Sequence, residues 1–257
     1  MKKQLINLLC AAMVLYSVGL ASCCKDKDDD TPRVGQSTAV FNPDKTYGTM
    51  TDTEGNVYRT ITIGTQTWMA ENLRTTRYRN GDPIPNGATT DWPLSDNTPG
   101  GYCSYNNTSD PDTIVTYGLL YNGYAVLDGR NLAPEGWHIP TAAEWDTLIA
   151  FVAAGEGTTD MYGSNSIAGG RLREAGTLHW GRANRATNSS GFTALPGGHR
   201  GPGKPSFNQV GYTCNFWSAT LYDSFILYYY NSCPDFLSFG KMAFTMPAGF
   251  SVRCVKN

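Results

Sequence analysis

Reactive side chains are few in this chain, and their spacing rules out most catalytic chemistry. Seven cysteines occur, and Cys103, Cys214, Cys233 and Cys254 fall in the body of the sequence. No Cys-x-x-Cys is present, and no Cys/His cluster has zinc spacing. Four body cysteines allow three disulfide pairings, and spacing alone does not choose among them. His138, His179 and His199 stand far apart and read as structural hydrogen-bonding residues. Gly198 to Lys204 carries the glycine and lysine spacing of a phosphate loop. Pro205, however, takes the place of the metal-binding Ser/Thr, and Pro202 removes a backbone donor, so a connecting loop is expected. No Gly-x-Ser-x-Gly elbow and no His-Glu-x-x-His occurs. Glu71, Glu144 and Glu174 are expected at helix starts and in surface pairs rather than as a hydrolytic pair.

Binding chemistry is better represented. Aromatic residues make up 12% of the chain, while charged residues make up only 16%, against about 25% in ordinary domains. Aromatic faces stack on sugar rings, so the aromatics in loops and near strand ends are the candidate ligand contacts: Trp92, Tyr102, Tyr105, Trp180, Tyr222, Tyr228 and Tyr230. Trp68, Trp137, Trp145 and Trp217 are assigned to the core. Calcium takes several oxygen ligands, and Asp91, Asp96, Asp110 and Asp112, with Asn97, Asn106 and Asn107, make an oxygen-rich stretch. It lacks EF-hand spacing, and the Glu-Pro-Asn and Trp-Asn-Asp signatures of calcium-dependent lectins are absent. No cofactor is expected, with calcium the one ion these residues leave open. The formal charge is −2 and no basic tract follows Lys2 and Lys3, which excludes charge-driven nucleic-acid binding.

The elements that must position these residues are short. Val57 to Ile63 alternates and is β-branched, so it reads as a strand, and Thr65 to Leu73 reads as a second. Residues 80 to 112 are punctuated by Gly, Pro and Asn and read as a long loop region, followed by an apolar strand or buried segment from Tyr117 to Val126. Thr141 and Glu144 have capping-box spacing. Trp145, Leu148, Ile149 and Val152 follow on one helical face, and Gly155 closes the helix. A second helix is expected over Ala168 to Ala175, and short strands with glycine turns from Phe192 onward. In Phe225 to Tyr230 alternate residues face opposite sides, so Ile226, Tyr228 and Tyr230 should share one face. One α+β domain is implied.

The N-terminus carries an address. Lys2 and Lys3 precede an apolar run from Leu5 to Leu20, the form of a secretory signal over residues 1–22. Leu20-Ala21-Ser22-Cys23 resembles a lipobox, making Cys23 the lipidated first residue, the alternative being an ordinary cleaved signal. Residues 23–46 then read as an acidic flexible tether and 47–257 as the folded domain.

Three stretches carry a family resemblance: Asp52 to Tyr58 running into Ile63 to Leu73; Tyr117 to Asn122 with Ala133 to Thr141 and Glu144-Trp145; and Ser190 to Gly198 with the ending Phe250 to Lys256. Together they resemble the Fibrobacter succinogenes major paralogous domain, common in Bacteroidetes surface lipoproteins and largely without assigned activity. In this resemblance Gly123 stands where an aromatic is expected, which predicts locally looser packing. The acidic run after Cys23 resembles the surface-export signal of those lipoproteins, implying an outer-membrane lipid anchor facing the exterior, with a periplasm-facing anchor as the alternative. More distantly, His138-Ile139-Pro140-Thr141, Glu144-Trp145 and Phe250 to Arg253 resemble formylglycine-generating enzymes. That likeness implies a C-type-lectin-like fold of small antiparallel sheets, two short helices and long irregular loops. The close cysteine pair of those enzymes is missing, so their activity is not implied. What remains is a non-catalytic surface lipoprotein that recognises glycans or surface proteins, with a structural or assembly subunit as the alternative.

Overall fold

The computed structural model describes residues 35–95, 98–161, 164–181 and 184–257. The signal, the lipobox cysteine Cys23 and the acidic run lie outside the described residues, as do Asp96 and Asn97. Among the described residues no helix is long and apolar enough to cross a membrane.

The first described elements are strands β1 (Gly48–Thr51), β2 (Val57–Ile63), β3 (Gln66–Met69) and β4 (Tyr102–Cys103). Helix α1 (Pro111–Tyr117), β5 (Leu120–Asn122), α2 (Gly123–Val126), β6 (Trp137–His138), α3 (Ala142–Ala153) and α4 (Ala168–Leu172) follow. The last third is β: β7 (Gly197–Arg200), β8 (Phe207–Val210), β9 (Cys214–Asp223), β10 (Ile226–Ser232), β11 (Gly240–Thr245), β12 (Gly249–Phe250) and β13 (Val255–Lys256). These strands form three antiparallel sheets of order β1-β2-β3-β13-β6, β4-β5-β12-β7-β8 and β11-β10-β9. The C-terminal β13 sits between β3 and β6, so chain ends far apart in sequence close the first sheet.

Among the described residues the α-helices number four, where two were expected. α3 forms where the capping box and apolar stripe place it, with Thr141 and Glu144 satisfying each other's backbone donors. Ala154 ends it in a left-handed conformation, with Gly155 next at φ 77°. α4 is shorter than expected and stops at Leu172. α1 lies partly in the stretch expected to be loop: Asp110 caps its first turn and Pro111 fills its first position.

Two apolar clusters flank the β9–β11 sheet. One gathers Trp217, Leu227, Tyr229 and Phe250. The other centres on Trp145, whose ring lies 4.7 Å from Trp68 and 5.1 Å from Tyr230. Trp68, Trp137, Trp145 and Trp217 are all buried, as assigned. Gly123 does not loosen the packing. A Cβ there would meet Leu227 Cδ1 at 2.5 Å and Met246 Cα at 2.9 Å, so a side chain is excluded by close approach.

The described chain already packs against the body at Gly35 and Gln36, ahead of Tyr47. Residues 36–42 form a strap along the body rather than part of a free tether. Its alternate backbone N–H groups are taken by side-chain oxygens: Gln36 N donates to Asp112 Oδ1 at 2.8 Å, Thr38 N to Thr116 Oγ1 at 3.0 Å, Val40 N to Glu174 Oε1 at 2.6 Å and Asn42 N to the Tyr47 hydroxyl at 3.2 Å. This is the spacing of a strand, with side chains in place of a partner strand's carbonyls.

Candidate functional site

Three of the seven aromatic candidates are corrected by their burial. Trp180 and Tyr230 are fully buried and Trp92 nearly so, and a ring without an open face cannot stack on a ligand. Arg200 lies over Trp92 at 3.7 Å and Arg173 over Trp180 at 5.2 Å, cation–π contacts that occupy the ring faces. The Tyr230 hydroxyl sits 2.7 Å from Asp146 Oδ1 and 2.9 Å from the Ala142 carbonyl, beneath α3. Tyr102 and Tyr105 are half-buried, the first against Tyr121 at 6.4 Å and the second edge-on to Phe207 at 5.4 Å. Neither adjoins the two remaining candidates.

Those two are brought together. Tyr222 and Tyr228 meet edge to face at 5.4 Å and 87°. Tyr222 is 59% exposed. The alternation in β10 explains the position of Tyr228. Leu227 and Tyr229 turn into the first cluster, while Ile226, Tyr228 and Tyr230 take the opposite face. α3 covers that face at Tyr230 and leaves it open at Tyr228. The result is a cleft of about 640 Å³ lined by the two tyrosines with Met161, Ile226, Lys241, Met242 and Ala243.

A charge pair adjoins this wall. Lys241 Nζ donates to Asp146 Oδ2 at 2.6 Å and stands 5.6 Å from the Tyr228 ring. Asp146 therefore takes both the Tyr230 hydroxyl and the Lys241 ammonium. Burial, with the Asp146 carboxylate beside it, holds the Tyr230 phenol far above its ordinary pKa. Sequence reasoning did not single out Lys241 or Asp146. Asp146 lies one residue beyond the capped turn, and the two sit 95 positions apart.

The three described calcium candidates, Asp91, Asp110 and Asp112, form no metal-holding group. Asp110 caps α1 by accepting from Thr113 N and Oγ1, Asp112 receives the Gln36 amide, and Asp91 is exposed. Asp96 is outside the described residues. Among the described residues no group of three or more His, Cys, Asp or Glu is placed to hold a metal ion.

The four body cysteines are free thiols, so none of the three possible pairings is made. Burial pushes the Cys103 thiol up to about 12 even with Arg200 opposing it, and Cys214 likewise to about 12. At neutral pH neither is a nucleophile.

One array resembles a catalytic triad. Buried Glu174 accepts from His179 Nδ1 at 2.8 Å, and His179 Nε2 lies 2.8 Å from Thr38 Oγ1. Thr38 Oγ1 also lies 3.1 Å from Thr116 Oγ1, and the Thr38 amide is spent on that same hydroxyl. The network fastens the strap, and His179 is the structural hydrogen-bonding residue expected of it. Glu71 and Glu174 are correspondingly buried instead of forming surface pairs; Glu71 accepts from the Arg59 amide at 2.5 Å.

Buried arginines complete the scaffold. Arg253 donates to Asn72 Oδ1 and to the Phe192 and Thr193 carbonyls, and burial lowers its pKa to about 9.

Compared with known proteins, residues 61–256 match a family profile, that of the Fibrobacter succinogenes major domain. No curated protein and no solved structure matches the chain.

Proposed function

The chain belongs to the Fibrobacter succinogenes major domain family, and from that premise we propose that it is a non-catalytic recognition module binding a glycan or other surface ligand at the Tyr222–Tyr228 cleft. The observation that carries the reading is the cleft itself: two aromatic rings meeting at a right angle, one well exposed, beside a lysine–aspartate pair. Stacking on a ring and hydrogen bonding at its rim is the pairing that sugar recognition requires. We read the antiparallel sheets with short helices as a C-type-lectin-like arrangement, a reading supported by the capped α3 and the β13 closure. The lipobox at Cys23 supports a lipid-anchored protein of the outer membrane facing the exterior.

A second reading, an assembly subunit, is favoured by one observation. Leu221, Met242 and Phe244 are exposed on the same sheet, with Phe225 exposed in the β9–β10 turn, and β11 is an edge strand. A glycan array probed with residues 34–257, wild type and Tyr222→Ala, separates the two. Binding that Tyr222→Ala abolishes supports recognition. A folded domain that binds no glycan and self-associates through β11 points to assembly instead.

A further inference from the structure

A second cleft of about 390 Å³ adjoins the aromatic one, lined in part by Thr158, Thr159, Ser164, Ser166 and Ser238. The two share a boundary at consecutive residues. Asp160 lines one and Met161 the other, and Gly240 and Lys241 divide in the same way.

Three hydroxyls of this second cleft already accept from the protein. Ser166 Oγ accepts from Thr158 N at 2.9 Å, Ser164 Oγ from Lys241 N at 3.2 Å and Thr159 Oγ1 from Asn165 Nδ2 at 3.3 Å. Each spends an acceptor lone pair on the protein and keeps its hydrogen. Among the described residues no protein group takes those hydrogens, nor any hydrogen bond of the Thr158 and Ser238 hydroxyls. The cleft therefore presents a row of O–H donors beside an aromatic wall.

The charges narrow the ligand further. Lys241 is already neutralised by Asp146, and Asp160 edges the donor row. The Lys241–Asp146 pair is closed on itself and offers no net charge to an ionic ligand, and the O–H row offers hydrogens to neutral oxygen acceptors. Resting on the recognition reading above, we infer that the ligand is an uncharged linear oligosaccharide. One ring stacks at Tyr222 and Tyr228, and the following rings run past Lys241 into the hydroxyl cleft, where their oxygens accept from the Ser/Thr row.

Titration calorimetry of the full-length chain in detergent tests this, with gluco-, manno- and xylo-oligosaccharides of one to six rings as probes and oligogalacturonates as the acidic set. Binding should strengthen at least tenfold between one ring and four within a neutral series. Thr158→Val with Ser238→Ala, which removes two hydroxyls without protein partners, should lower affinity for four rings by about tenfold and leave one-ring binding unchanged. Tyr222→Ala should abolish both. Binding that ignores chain length and the hydroxyl substitutions overturns the extended site while leaving recognition at the tyrosines intact. Preference for oligogalacturonates overturns the uncharged assignment. Absence of binding to every probe overturns the inference and the recognition reading together.

Discussion

Raising the pH above 9 should destabilise this protein through its buried thiols. Cys103 and Cys214 are enclosed, and burial lifts both from a reference of 9.0 to about 12. In the folded state they keep their protons, while in the unfolded chain they ionise near 9. Stability from this source is complete below pH 9 and is lost as pH rises toward 12. Each pH unit above 9 costs about 1.4 kcal/mol per thiol. At pH 10.5 the loss is about 2 kcal/mol each, about 4 kcal/mol for the pair, against a total near 5–15 kcal/mol for an ordinary domain. Cys254, raised by complete burial, adds in the same direction. With a urea m-value of about 2 kcal/mol/M, the midpoint should fall by about 2 M between pH 8.5 and 10.5. The assay is tryptophan fluorescence under a phosphine reductant. Buried tyrosines such as Tyr58 also ionise late in the fold and steepen the fall, so the decisive comparison is with Cys103→Ala/Cys214→Ala. That variant should lose roughly half or more of the slope. An identical slope in both proteins would refute the argument.

Other expectations follow from single contacts. Gly123→Ala should destabilise by about 1–3 kcal/mol or more, because its Cβ would overlap Leu227 and the Met246 backbone; thermal unfolding reads this, and an unchanged transition would restore the looser packing expected from sequence. Thr141→Ala removes the cap of α3 and should cost about 1 kcal/mol by urea titration. Glu174→Ala leaves the Val40 amide and His179 without their acceptor. Protease cleavage within residues 36–42 should then accelerate at least tenfold while the core keeps its melting temperature. If cleavage is unchanged, the strap is held by something other than Glu174.

What was legible in the sequence was what depends on near neighbours. The Thr141–Glu144 box and the Trp145, Leu148, Ile149, Val152 stripe define α3 within a dozen residues, and the β-branched alternation of Val57–Ile63 defines β2. Alternation in β10 also named the correct face for Tyr228. Most of the failures involve distant partners. Tyr230 lies on that same face, yet α3 covers it, and nothing local to the strand says so. Trp92 and Trp180 sit in loop-like sequence, but arginines 108 and 7 positions away, Arg200 and Arg173, lie against their rings. The strap lacks a hydrophobic period because its acceptors are side chains contributed mainly from 76 to 134 positions away. Asp110-Pro111 read as turn chemistry, although the same pair is a helix cap followed by a first-position proline. Cys103, Cys214 and Cys254 are free thiols enclosed in the interior, a burial that cysteine counting does not register.

The strap has a mechanical consequence. A pull on the chain ahead of Gly35, directed away from the surface, would meet the Gln36, Thr38, Val40 and Asn42 bonds one after another, in the geometry of a zip rather than of shear. Bonds loaded singly yield at low force. The strap would peel as far as the Asn42–Tyr47 turn and add about 25 Å of slack, while the sheet that holds β13 between β3 and β6 stays unloaded. Tension arriving from the N-terminus would thus be spent on a sacrificial segment before it reached the tyrosine cleft.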